Sequence, residues 1–302
     1  MLYYISCFIF GFFLPAFVAY DNCIQQSRFE NIIIFGDSNS DTGNVFKLSN
    51  YTWPLSPPYY HGRFCNDRNW VDQLQVNGIK NYAYGSATTD NDQVQGYTKF
   101  NTLLVPGVNQ QMDKYFNEYS SNIISSQKTL HIIWAGGNNV IFNPALPIPD
   151  IVNNLTNLVI KLCENNAKYV LIFNQVPAQY IPDALTIANA SILAQMTAGF
   201  NCLTTNNLHA IQQASIHILD IHSLILKVIT QGLDYFIDTI NNCWSTINAT
   251  IIIKNCQDPN KNVFVDETHF TYPVHELIAD VIRKFLLPSY TVNTASCYIQ
   301  NA

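Results

Sequence analysis

Short apolar runs separated by longer amphipathic stretches set the pattern of this chain. Residues 31–35 read Asn-Ile-Ile-Ile-Phe, a β-branched and aromatic run without polar alternation. Such a run predicts a strand buried on both faces. Residues 130–134, 169–173 and 216–219 read the same way. Ile151, Val152, Leu155, Leu158, Val159, Leu162 and Cys163 fall at helical spacing, which predicts a helix from 151 to about 164, capped by Asp150. A second helical region is expected from about 183 to 213, and a last helix over 274–286. Strands that alternate with helices imply a parallel sheet covered on both faces. The predicted fold is α/β: a three-layer α/β/α sandwich around a central, mainly parallel sheet.

The first twenty residues break this pattern. Residues 2–20 are almost unbroken apolar sequence, interrupted only by Ser6, Gly11 and Pro15, ahead of the polar Asp21-Asn22. They read as a secretory signal peptide, residues 1–20, with residues 21–302 forming one domain. The alternative is an uncleaved anchor. No Lys or Arg precedes the apolar core, Phe17 stands two positions before Ala19, and the stretch is long enough to span a bilayer.

Composition narrows the function. Charged residues make up 12% and hydrophobic residues 48%, enough for a sizeable core. A net charge of −6 with few Lys and Arg argues against nucleic acid or an anionic membrane as the main partner. No Gly-rich phosphate loop, His-Glu-x-x-His or paired Cys-x-x-Cys occurs, so neither a metal nor another cofactor is expected.

The first apolar run ends in Gly36-Asp37-Ser38-Asn39-Ser40-Asp41-Thr42-Gly43-Asn44. A serine at the carboxyl end of a buried strand, before a helix, sits where open α/β sheets place their ligands. Its backbone N–H joins a helix N-terminus that favours developing negative charge. Gly-Asp-Ser alone is read equally well as an Asp/Ser turn with a helix cap. Near the other end stands Val263-Phe264-Val265-Asp266-Glu267-Thr268-His269. An acid three residues before a histidine can orient one imidazole nitrogen while the other serves as base to a serine. His61, His131, His209, His217, His222 and His275 lack this setting and read as surface or packing residues.

With these residues the chain resembles the GDSL, or SGNH, hydrolases, whose blocks begin with Gly-Asp-Ser and end with Asp-x-x-His. The glycine block resembles Asn81-Tyr82-Ala83-Tyr84-Gly85-Ser86-Ala87-Thr88-Thr89, and the Gly-x-Asn-Asp block resembles Trp134-Ala135-Gly136-Gly137-Asn138-Asn139. Gly62-Arg63-Phe64-Cys65-Asn66, followed by Trp70-Val71-Asp72, is similar to a segment of secreted plant-type and fungal members. The resemblance implies Ser38 as nucleophile, His269 as base and Asp266 as its orienting acid. It implies an oxyanion hole from the backbone N–H of Ser38, a backbone N–H at Gly85 or Ser86, and the side chain of Asn138. Two departures stand out. Ser86 replaces a glycine, and Asn139 replaces an aspartate whose charge is expected to hold the loop.

Seven cysteines follow the apolar leader: Cys23, Cys65, Cys163, Cys202, Cys243, Cys256 and Cys297. Cys243 and Cys256 flank an Asn-rich insertion just before the Asp-His loop, and a disulfide there would staple the base. A closed loop of about 14 residues is worth about 3 kcal/mol. The alternatives are two buried thiols, or pairing with Cys202 or Cys297. Cys163, on the apolar stripe of a helix, is the natural free thiol. Asn50, Asn154, Asn189 and Asn248 head glycosylation sequons. The aromatic loop over residues 50–66 reads either as a wall of the substrate cleft or as a packed surface loop.

The expected function is a secreted, monomeric serine esterase acting on small acyl groups, such as acetyl on carbohydrate. A lipase or phospholipase acting on acyl lipids is the first alternative. A catalytically weakened binding module on the same fold is the second, with Asn139 as its support.

Overall fold

The computed structural model describes residues 27–286, apart from 120 and 249. The proposed signal peptide, Cys23 and Cys297 lie outside the described residues. In chain order the strands are β1 (Asn31–Gly36), β2 (Ile79–Asn81), β3 (Gly96–Thr98), β4 (Leu103–Val105), β5 (Thr129–Trp134), β6 (Tyr169–Phe173), β7 (Ser215–Leu219), β8 (Asp238–Asn242), β9 (Trp244–Asn248), β10 (Ile251–Lys254) and β11 (Asn262–Phe264). The helices are α1 (Asn44–Leu48), α2 (Val108–Glu118), α3 (Ser121–Ile124), α4 (Gly137–Phe142), α5 (Ile148–Glu164), α6 (Ala190–His209), α7 (Ile221–Gln231) and α8 (Tyr272–Leu286).

A parallel sheet of order β2-β1-β5-β6-β7 forms the middle layer. The apolar runs have this pattern because both faces are covered. Ile32 and Ile34 pack with Trp70, Ile225, Val274, Ile278 and Ile282 on one side. Ile33 and Phe35 pack with Met112, Tyr115, Val152, Leu155 and Val159 on the other. Full burial of each such side chain stabilises the fold by roughly 1.5–3 kcal/mol. The chain leaves β1 for β2 on one side and reaches β5 on the other. That reversal opens a crevice at the carboxyl ends of β1 and β5, where an open α/β sheet binds its ligands.

Two expected helix starts move. Asp150 does not cap α5; Pro147 is the cap and Asp150 lies in the first turn. Pro147 and Pro149 lack the N–H that a helix start cannot satisfy, so they set the boundary earlier. The region expected over 183–213 is two pieces. A 3₁₀ turn, Ala184–Thr186, is followed by α6. The break is set by Asn189, whose side chain accepts the Ile192 N–H at 3.0 Å.

Four short elements had no sequence signal: the edge strand β2, the hairpin β3–β4, the hairpin β9–β10 and the parallel pair β8–β11. Cys243 and Cys256 are disulfide-bonded across the β9–β10 hairpin. Cys202 is disulfide-bonded as well. Cys163 is a free buried thiol, and so is Cys65. No helix of the described residues is long and apolar enough to cross a membrane.

Candidate active site

Ser38 follows β1 directly and is buried at the crevice, 8% exposed. Its loop is fixed by Asp41, which is fully buried. One carboxylate oxygen of Asp41 accepts the N–H groups of Gly43 and Asn44 at 2.7 and 2.6 Å. The other accepts Val45 N–H at 3.1 Å and Gly85 N–H at 2.9 Å. A single side chain thus satisfies the start of α1 and ties it to the glycine block.

The Gly85 bond bears on the oxyanion hole. Gly85 N–H is committed to Asp41, which leaves the Ser86 N–H as the candidate of the two. Ser86 has φ 69°, the left-handed region in which a side chain is strained. Gly85 is needed for a different reason: a Cβ there would lie 2.3 Å from the Phe64 ring.

Asn138 is the second residue of α4, just after β5. It donates one amide hydrogen to Ala87 O at 2.9 Å, which leaves the second for a ligand. Asn139 is fully buried and holds the glycine block without a charge. Its Oδ1 accepts Thr89 N–H at 3.0 Å, and its Nδ2 donates to Thr89 Oγ1 at 2.9 Å and Gln93 Oε1 at 3.2 Å. The amide at this position is therefore matched by two acceptors, Thr89 Oγ1 and Gln93 Oε1.

The base comes from the loop after β11. His269 Nδ1 bonds the Asp266 carboxylate at 2.7 and 2.9 Å, which leaves Nε2 to face a nucleophile. Asp266 is 3% exposed and also accepts the N–H groups of Thr268 and His269, at 2.9 and 2.7 Å. The hydroxyl of Tyr59 donates to its second oxygen. Burial alone would raise the Asp266 pKa; the charge and hydrogen bond of His269, with the Tyr59 and backbone donors, hold it below its ordinary value. Burial alone would lower His269, and Asp266, then Asp37 and Asp183, raise it above 6.5. Burial lifts Asp37, the neighbour of Ser38, to about 6, against the Asn39 N–H and the His269 charge.

These interactions bring the two distant motifs to one crevice. Asp37 and His269 are close enough for their charges to interact. The Phe64 ring lies 5.0 Å from the His269 ring and against Gly85.

A cavity of about 110 Å³ opens beside Ser38 and Asn138. Ile141, Ile148, Ile187, Leu193, Met196 and Phe200 give it an apolar lining. The aromatic loop over 50–66 does not line it. That loop packs behind the base instead, through Tyr59 and Phe64. Arg63 binds Asp72 through two bonds, at 2.6 and 2.9 Å, which ties those two segments together. Among the described residues, no group of three or more His, Cys, Asp and Glu is placed to hold a metal ion.

Residues 32–282 match the GDSL-like Lipase/Acylhydrolase family. The chain belongs to that family. It is 26% identical over 188 residues to phosphatidylcholine-sterol acyltransferase of Aeromonas hydrophila, covering 60% of this chain and 55% of that protein. It is 22% identical over 169 residues to thermolabile hemolysin of Vibrio parahaemolyticus, covering 54% of this chain and 36% of that protein. The matched segment thus spans about half or less of these curated relatives. Among solved structures, a lipolytic protein of the G-D-S-L family from Veillonella parvula aligns over 83% of this chain and 94% of its own, at 14% identity and a TM-score of 0.47. Esterase EstA from Pseudoalteromonas aligns over 85% and 98%, at 15% identity and a TM-score of 0.42.

Two residues of this site carry no sequence signal. Asp41 lies in an Asp-Thr-Gly turn that reads as an ordinary loop, and Tyr59 stands 207 positions before its partner Asp266.

Proposed function

We propose that the chain hydrolyses carboxylic esters through an acyl-enzyme on Ser38, with an aliphatic acyl chain lodged in the apolar cavity. Ser38 Oγ attacks the ester carbonyl carbon while His269 Nε2 takes its proton. The carbonyl oxygen becomes an oxyanion, met by the N–H groups of Ser38 and Ser86 and the amide of Asn138. Asp266 stabilises the imidazolium. Collapse expels the alcohol, which takes the proton from His269. Water, deprotonated by His269, then attacks the acyl-enzyme and releases the acid.

The cavity carries the choice of substrate. An acetyl group would leave most of its apolar wall unfilled. A volume of about 110 Å³ is of the order of the roughly 150 Å³ cavity that takes a benzene ring, so it suits a short-to-medium chain. This sets the reading apart from the acetyl esterase expected from sequence. The names of the two curated relatives, an acyltransferase and a hemolysin, are compatible with acyl lipids as substrates. Export is part of the proposal. The disulfides at Cys243–Cys256 and Cys202 fit an oxidising compartment, and the sequon residues Asn50, Asn189 and Asn248 are exposed. Asn154 is half-buried on α5.

A series of p-nitrophenyl esters from acetate through octanoate to palmitate, run beside a phospholipid and acetylated xylan, tests it. Each buried methylene is worth up to about 0.8 kcal/mol, so kcat/KM should climb from acetate to a maximum near octanoate. A maximum at acetate, with release from acetylated xylan, would restore the carbohydrate reading.

A further inference from the structure

We infer that Tyr59 is a positioning residue for the base, holding the Asp266 carboxylate through its hydroxyl and linking it to the disulfide-bonded β9–β10 hairpin. The inference rests on the hydrolytic reading of Ser38, Asp266 and His269.

Asp266 needs to present an oxygen to His269 Nδ1 in one fixed rotation. Its Oδ1 is set by two backbone N–H groups of its own loop. Its Oδ2 is met by His269 Nδ1 at 2.7 Å and by the Tyr59 hydroxyl. Tyr59 is therefore the side-chain donor that closes the second oxygen from outside the loop.

Tyr59 is itself well held. It is 3% exposed, its N–H bonds Leu55 O at 3.0 Å, and its ring packs edge-on to Trp244 at 5.2 Å. Trp244 adjoins Cys243 and begins β9, and its N–H bonds Val265 O at 2.7 Å, next to Asp266. Thr246 of the same strand donates its N–H to Glu267 at 3.1 Å. Tyr59, Cys243, Trp244 and Val265 form one small apolar cluster. The hairpin and the loop over 50–66 thus grip the acid from two sides, and the phenol is where they reach the carboxylate.

The groups facing His269 besides Asp266 are Asp37, Asp183 and the buried His275. Glu267 faces Asp266 and Tyr59. Loss of the Tyr59 hydroxyl leaves these in place and removes one donor from Asp266. The carboxylate then carries more uncompensated charge and pulls harder on the Nδ1 proton. His269 becomes easier to protonate, so the acid limb of kcat/KM moves to higher pH.

Tyr59→Phe keeps the ring and removes only the donor. A hydrogen bond to a buried charge is large enough for kcat to fall about tenfold with KM within about twofold. The limb should shift upward, and the downfield proton resonance of His269 Nδ1 should move. Tyr59→Ala should also lower Tm, because it leaves Trp244 without its packing partner. Should Tyr59→Phe prove less stable, the resonance and the limb are read below its melting temperature, where packing alone moves neither. An unchanged kcat, limb and resonance in Tyr59→Phe would reduce Tyr59 to a core aromatic. Wild-type protein that hydrolyses no ester would overturn the hydrolytic reading instead, and the Nδ1 resonance would still decide whether Tyr59 holds Asp266.

Discussion

The loop that carries Ser38 and the loop that carries His269 are restrained in opposite ways. The first leaves β1, a six-residue strand buried between two neighbours, and is fixed by Asp41, three residues further on. The second leaves β11, a three-residue strand outside the main sheet. Its restraints come from elsewhere in the chain: Tyr59, the backbone of β9, and the disulfide between Cys243 and Cys256. The nucleophile half is therefore built with the core. The base half is assembled on it by long-range contacts, and it should loosen first under stress.

The largest effects test whether the two halves act as one unit. Ser38→Ala should lower kcat roughly 10⁶-fold, as loss of a triad serine does, and should abolish labelling by a fluorophosphonate probe. Equal labelling of wild type and Ser38→Ala would remove the nucleophile half from the mechanism. Asp266→Asn should cost about 10⁴ in kcat with little change in KM, since the wrong tautomer of His269 then faces the serine. Because its surroundings raise His269, the acid limb of kcat/KM should lie above pH 6.5. The base must be neutral, so activity is lost as pH falls through that limb. A limb well below 6.5 would show that a different group serves as base. Asn138→Ala should cost about 10²–10³ in kcat while Tm stays within a few degrees. Full activity after this change would place the oxyanion donor elsewhere.

A smaller effect separates the halves. Replacing Cys243 and Cys256 together by serine should cost up to about 3 kcal/mol. Hydrogen exchange should rise first in residues 243–269 and leave the amides of β1 and the Asp41 turn protected. Equal loss of protection in both places would mean that the base half is as deeply built as the nucleophile half.

The same contrast governs what could be read in the sequence. Four sheet strands were legible because an apolar run with no alternation is a local signal, and the expected span over 169–173 is the whole of β6. β2 was not legible. Its three residues, Ile79, Lys80 and Asn81, contain one apolar side chain, and they form a strand only because β1 offers hydrogen-bonding partners. Ser38 and the Asp266–His269 pair were marked by short motifs, whereas Asp41 and Tyr59 were not. A carboxylate that binds backbone N–H groups leaves no pattern, because every residue but proline has one. A contact across 207 positions leaves no periodicity. The stray cap at Asp150 has a similar cause: prolines outranked the acid because they remove a donor that nothing could satisfy.

The smallest effect concerns a strained residue in the glycine block beside the nucleophile. Ser86 stands at φ 69°, at the block position where the sequence resemblance implies glycine. A side chain in this region costs about 1–2 kcal/mol, and glycine has no such penalty. Glycine also gives the unfolded chain more freedom, which takes back about 0.4–1 kcal/mol. Ser86→Gly should therefore raise stability by up to about 1 kcal/mol, or roughly 2–4 °C in Tm for a domain of this size. The backbone N–H survives the change, so kcat should stay within about twofold if that N–H, and not the serine hydroxyl, meets the oxyanion. Ser86→Pro, which removes the N–H and forbids the dihedral, should be inactive. A tenfold loss of kcat in Ser86→Gly, with Tm unchanged or raised, would show that the hydroxyl acts on the substrate. In that case the departure from glycine would be functional, and the strain at Ser86 would be the cost of a contact that glycine lacks.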